Sequence, residues 1–194
     1  MMPRNSRARR LPPHLALGVA VVTALLVGCG LTHSGTAFKN VEVAPGTEIF
    51  AIDTSLIVEM SYENPEFSLT ARRTDPKGNH FQIHFQSKAS QLKQDCLSGP
   101  GFEKVLKAFS SLKARRSYDA AETKSILASC PVDLGVVVLR DSTNIGPAQW
   151  LFRGSNDMLK IIASDGFQAY ELDLTRVPFE LLQGGCMSLS DRRP

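Results

Sequence analysis

The hydrophobic period of this chain changes twice along its length, and those two changes limit what it can fold into. Between residues 56 and 85 apolar and polar positions alternate, so that Leu56, Val58, Met60 and Tyr62 share one face of a strand while Glu59, Ser61 and Glu63 point the other way. Phe67, Leu69 and Ala71 repeat the pattern after Asn64-Pro65, and Phe81, Ile83 and Phe85 repeat it after Asp75-Pro76-Lys77-Gly78. Proline presets φ and Gly78 tolerates the positive φ of a bulged hairpin, so the stretch reads as an antiparallel meander. From 102 to 112 the apolar residues are Phe102, Val105, Leu106, Phe109 and Leu112, which predicts an amphipathic helix with Glu103, Lys104, Lys107 and Lys113 outside. Gly99-Pro100-Gly101 opens that helix, and Lys113, Arg115 and Arg116 lie near its negative end. A weaker helix is expected over residues 118–129, ending at Cys130-Pro131.

Strands return after Pro131. Val136, Val137, Val138 and Leu139 form a nearly continuous apolar run, as in a strand covered on both faces. Segments 149–153, 158–163 and 167–172 follow, joined by Gly154-Ser155-Asn156-Asp157 and by Asp165-Gly166, the second a strong hairpin signal. A last short helix covers 177–183 and stops at Gly184-Gly185. The order predicts one α+β domain over 37–194: a largely antiparallel β-sheet, in two meanders of about four strands, with helices packed on it.

Ahead of this domain lies a leader. Arg4, Arg7, Arg9 and Arg10 precede an apolar run from Leu15 to Gly28, the order of a secretory signal. Fourteen apolar residues make a helix of about 21 Å, short of a hydrocarbon core of about 30 Å, which argues against an uncleaved span. The run ends at Leu26-Val27-Gly28-Cys29, and these four residues resemble the lipobox of bacterial lipoproteins. That resemblance implies that residues 1–28 are removed and that Cys29 becomes the lipidated first residue of the mature chain. Residues 29–36 then form a tether, and Gly30 to Thr36 reaches at most about 25 Å. Gly30 in place of an aspartate implies, by the same resemblance, sorting to the outer membrane facing the periplasm in a two-membrane cell.

Removing the leader changes the charge balance. The precursor carries 22 basic and 19 acidic residues, and without the four leader arginines the mature chain has 18 against 19, or −1. Arg72-Arg73, Arg115-Arg116 and Arg192-Arg193 are scattered and not interleaved with aromatic residues, so nucleic acid is not an expected partner. Three further cysteines remain. Cys96 and Cys130 bracket the helical segment and form the favoured disulfide, with Cys186 as an alternative partner; export makes such a bond reasonable, and spacing does not fix the connectivity.

Candidate chemistry is thin. His80 and His84 sit four apart on a predicted strand, on one face but about 13 Å from each other, too far to share a metal. Glu59, Glu63 and Glu66 offer carboxylates of a kind any glutamate-rich strand and turn would supply, and there is no Gly-x-Ser-x-Gly elbow, phosphate loop or dinucleotide fingerprint. No catalytic residue, metal or cofactor is therefore assigned, and an enzyme is not expected. The expected function is a lipid-anchored envelope lipoprotein acting as a non-catalytic binding or assembly module for another envelope protein. One alternative is a carrier or sensor of a small apolar ligand lined by Phe102, Val105, Phe109 and Trp150. The other is a cell-wall or lipid hydrolase with unidentified carboxylates. Tyr62, beside the Glu63-Asn64-Pro65-Glu66 turn, is either a surface contact or a core tyrosine with a wet hydroxyl.

Overall fold

The computed structural model describes residues 44–75, 78–143 and 146–190, all within one compact unit. The leader, Cys29 and the tether lie outside the described residues. Among the described residues there are ten strands: β1 (Thr47–Ala51), β2 (Ile57–Glu63), β3 (Phe67–Arg73), β4 (Phe81–Ser87), β5 (Lys93–Leu97), β6 (Ser111–Tyr118), β7 (Val132–Asp141), β8 (Ala148–Gly154), β9 (Ile161–Ser164) and β10 (Ala169–Leu172). They form one sheet in the order β1-β6-β10-β9-β8-β7-β2-β3-β4-β5, with every neighbouring pair antiparallel. Four helices accompany it: α1 (Pro100–Ser110), α2 (Ala120–Ser129), α3 (Val177–Gln183) and α4 (Gly185–Leu189).

The architecture is α+β, but the sheet is not two meanders. β2 pairs with β7 from Ile57 opposite Asp141 to Glu63 opposite Val136, and this ladder welds β2–β5 and β7–β10 into one surface. Residues 111–118, expected near the end of a helix, are a strand. Leu112 and Ala114 point in while Lys113 and Arg115 point out, a period of two that a lysine- and arginine-rich segment disguises.

Bulges decide which residues face inward. The β2–β7 register steps between Ile57 and Glu59, so the extra residue Val58 turns outward with Leu56 while Ile57 enters the core. A second step, between Glu171 and Leu172 where β10 meets β6, lets one strand supply two cores: Leu112 joins the main cluster, and Tyr118 packs behind the sheet. β9 serves both sides as well, with Ile161 and Ala163 in the main cluster and Ile162 behind. α2 covers that rear cluster through Ile126 and Leu127, its N-terminus capped by the Asp119 carboxylate accepting from the Glu122 N–H at 2.8 Å. On the front face Phe102, Val105, Leu106 and Phe109 of α1, Phe179 and Leu182 of α3 and Leu189 of α4 pack onto the sheet. Val136 and Val138 are half-buried, so β7 is fully covered on one face only.

The disulfide joins Cys96 to Cys186, with Cα atoms 5.9 Å apart, and Cys130 is a buried free thiol. The expected Cys96–Cys130 pairing fails because Cys130 follows α2 and sits in the rear cluster with Tyr118, Ile162 and Ala169, whereas Cys96 lies on β5 at the far edge of the sheet. Cys186 comes from α4, which packs against β5, and its N–H donates to the Gln94 side-chain carbonyl at 3.3 Å. With the partners 90 positions apart, the closed loop restricts the unfolded chain by about 4.5 kcal/mol in the chain-entropy treatment.

Gly135 occupies a position that only glycine fits. Its φ is +97° at the β7 bulge, and a Cβ built there would lie 2.4 Å from the Glu63 carbonyl oxygen on β2. Gly135→Ala is therefore expected to destabilise the fold by about 2 kcal/mol or more, read from the midpoint of chemical denaturation. Peptide mapping under non-reducing conditions is expected to recover Cys96 linked to Cys186, with Cys130 alkylated only after denaturation; a Cys96–Cys130 peptide would overturn the assignment.

Candidate functional site

Arg73 is the last residue of β3 and stands opposite Phe81 of β4 in the antiparallel register. Its Nε donates to the Ile57 carbonyl at 2.8 Å, its Nη2 donates to the Thr54 carbonyl at 2.7 Å, and its Nη1 donates to the Gly78 carbonyl. The guanidinium also lies 4.7 Å above the centre of the Phe81 ring. One side chain thus ties together three pieces: the short 3₁₀ turn Thr54–Leu56, the start of β2, and the β3–β4 turn. The 3₁₀ turn has its own cap, since the Asp53 carboxylate accepts from the Ser55 N–H at 2.8 Å. Hydrogen bonding from the Ser55 backbone N–H, and then from its hydroxyl, holds the Asp53 carboxyl below its ordinary range.

Above this staple lies an open cleft of about 640 Å³. One wall is Thr54, Ser55, Arg73 and Asn79, and the other is Glu103, Lys107 and Ser110 of α1 with Ser111 of β6. Phe81 and Leu106, both buried, supply its apolar floor. The Ser110 hydroxyl donates to the Lys107 carbonyl at 3.1 Å, and the Ser111 hydroxyl donates to Glu48 at 2.8 Å. Among the described residues, no acidic group lies within 4 Å of Arg73 or Lys107, and no basic group within 4 Å of Glu103. Elsewhere on the surface some charges are paired: Glu59 with Arg72 at 2.8 Å and Arg140 at 3.5 Å, Glu63 with Lys88 at 2.7 Å, and Asp173 with Arg115 at 2.6 Å, while others such as Lys104, Lys113 and Lys124 are in no ion pair among the described residues. The cleft is thus a place where charges face solvent without ionic partners.

The four residues expected to line an apolar cavity are packed against other side chains. Phe102 meets Phe81 at 5.1 Å between ring centres, Phe109 meets Phe152 and Phe179 at 5.2 and 5.3 Å, and Trp150 lies between Phe50 at 5.8 Å and Tyr170 at 6.1 Å. Val105 is fully buried in the same cluster. None of the four lines the cleft.

The polar candidates are dispersed. His84 Nδ1 lies 2.6 Å from Asp95 Oδ1, and both groups are exposed on the outer face of the sheet. Register places Thr70, His84 and Asp95 in one row across β3, β4 and β5, the order of hydroxyl, imidazole and carboxylate in a nucleophilic triad. Thr70 and His84 lie on the interior strands β3 and β4, paired on both sides, whereas Asp95 lies on the edge strand β5. His80 is exposed ahead of β4, and its carbonyl accepts from the Thr74 N–H at 3.0 Å. Glu59 and Glu63 are held in the ion pairs above, while Glu66 donates its N–H to Asn64 at 2.9 Å. Among the described residues no group of three His, Cys, Asp or Glu side chains is arranged to hold a metal ion. Tyr62 is a core residue: its hydroxyl donates to the Leu134 carbonyl and accepts from the Asn64 amide at 3.3 Å, and burial pushes its pKa upward.

By sequence Arg73 belongs to one of the scattered arginine pairs, yet its position carries a signal. It continues the inward set Phe67, Leu69 and Ala71 at a spacing of two, which places a guanidinium on an apolar face. Arg73→Met is expected to leave the Thr54, Ile57 and Gly78 carbonyls without their donor and to lower stability by about 2–3 kcal/mol. Amide exchange across residues 54–58 checks it, and protection there is expected to fall before that of β7 and β8. Compared with known proteins, the chain matches no family model, no curated protein and no solved structure.

Proposed function

We propose that this chain is a lipid-anchored, non-catalytic binding module of the cell envelope, carried on Cys29, which engages another envelope protein through the cleft between α1 and the β3–β4 turn. In a cell with two membranes it resides on the outer membrane and faces the periplasm. The observation that carries this reading is the contrast between a well-filled interior and a polar cleft in which Arg73, Lys107 and Glu103 have no ionic partners among the described residues. The Cys96–Cys186 bond fits export to an oxidising compartment, and a mature net charge near zero fits a partner other than nucleic acid. The apolar-ligand alternative is not carried further, because Phe102, Phe109 and Trp150 pack on neighbouring rings and Val105 is buried in the same core.

Site-specific photo-crosslinking in the producing cell tests the proposal. A photoreactive residue at Lys107, on the cleft wall, is expected to yield one discrete adduct, and the same residue at exposed Gln149 of β8 is expected to yield none. Equal adducts from both positions, or none from position 107, would remove the cleft from the proposal. The anchor is tested independently: Cys29→Ser is expected to shift the protein from a cleaved, membrane-bound form to an uncleaved or soluble one.

A further inference from the structure

The cleft also carries information about what enters it. A guanidinium has five N–H groups, and three of those on Arg73 are donated to backbone carbonyls; one on Nη1 and one on Nη2 remain. Arg73 is half-buried, and among the described residues its charge is met by carbonyl dipoles and the Phe81 ring alone. A cation withdrawn part-way from water, with two donors left over and no carboxylate within 4 Å among the described residues, is a favourable place for an anion to bind. Lys107 adds a second positive charge from the α1 wall. Glu103, one turn earlier on the same helix, adds a negative one that opposes ligands of higher charge. Thr54, Ser55, Asn79 and Ser111 supply hydroxyl and amide groups suited to a polar body, and Phe81 with Leu106 forms the surface on which it would rest.

Resting on the binding reading above, we infer that the cleft takes a single carboxylate borne on a small polar body, held by Arg73 and Lys107, with Glu103 excluding doubly charged anions. The same chemistry has two sources, the C-terminal carboxylate of a partner chain and a free small acid.

Calorimetric titration of the full-length lipidated protein in detergent, at fixed ionic strength, separates them. The probes are sodium acetate, inorganic phosphate, N-acetyl-tetraalanine with a free carboxylate, and the same peptide as its C-terminal amide. The acid peptide is expected to bind at least about tenfold more tightly than the amide and than phosphate. Lys107→Glu is expected to weaken that binding about tenfold while lowering the melting temperature by no more than about 2 °C, because Lys107 is exposed and the new i,i+4 pair with Glu103 costs little, and Lys107→Arg is expected to preserve both. Acetate binding as tightly as the acid peptide assigns the site to free acids; tighter binding of the peptide assigns it to a chain end. Equal binding of acid and amide, preference for phosphate, no binding of any probe, or no effect of Lys107→Glu would overturn the inference. A discrete crosslink at position 107 together with equal acid and amide binding would leave the binding module standing and remove only the carboxylate.

Discussion

The ladder between β2 and β7 is the pairing on which the rest of the molecule depends. It runs antiparallel over residues about 80 positions apart in the chain, so neither meander can complete its inner face without the other. Once it forms, Met60 and Tyr62 come beside Val137 and Leu139, and the apolar faces of β3, β4, β8 and β9 line up into a surface broad enough for α1 and α3 to cover. Its geometry is held by two local devices. The Val58 bulge turns Ile57 inward at one end, and at the other Gly135 lets the β7 backbone pass within reach of the Glu63 carbonyl. The cleft follows from the same ladder, because the entry to β2 is where Ile57 and Thr54 present the carbonyls that Arg73 grips.

Arg73 links architecture and chemistry. A cation on the inward side of a sheet is unfavourable unless its donors are engaged, and three carbonyls and an aromatic ring make it tolerable at the end of β3. The arrangement fixes the 3₁₀ turn against the β3–β4 turn and leaves a residual positive potential in the cleft. The outer face of the sheet is different in kind: Glu59, Arg72, Arg140, Glu63 and Lys88 neutralise one another in exposed pairs, each worth little to stability. Charges matched in that way keep a broad sheet soluble. Charges left unmatched over an apolar floor suit recognition.

Much of this was legible in the residues. The period-two faces of β3 and β4, the three-and-four spacing of α1, the Asp165-Gly166 hairpin and the last helix before Gly184 all stand where the pattern put them, because each expresses a local rule. β6 was hidden, since Lys113, Arg115 and Arg116 alternate with residues as small as Ala114 and resemble the charged end of a helix. The inward turn of Ile57 was hidden too, because a bulge is set by the partner strand and not by the strand's own alternation. The union of two meanders into one sheet depends on contacts across half the chain, which periodicity does not encode. The cleft was missed for a related reason: its residues come from five separate elements and a turn, and only the inward parity of Arg73 marked any of them.

Cys130 bears on the order in which this molecule can be assembled. It stands 34 residues after Cys96, against 90 for Cys186, so in an unstructured chain the shorter loop closes with the nearer thiol about fourfold more readily. The native bond is the longer one. What removes the nearer competitor is packing: Tyr118, Ile162 and Ala169 enclose the Cys130 sulfur and keep it from attack as a thiolate. The rear cluster beneath α2 therefore works as a selection rule on covalent chemistry. Oxidation that precedes its formation favours the wrong loop, and oxidation that follows it finds, among the cysteines of the described residues, only Cys96 and Cys186 within reach.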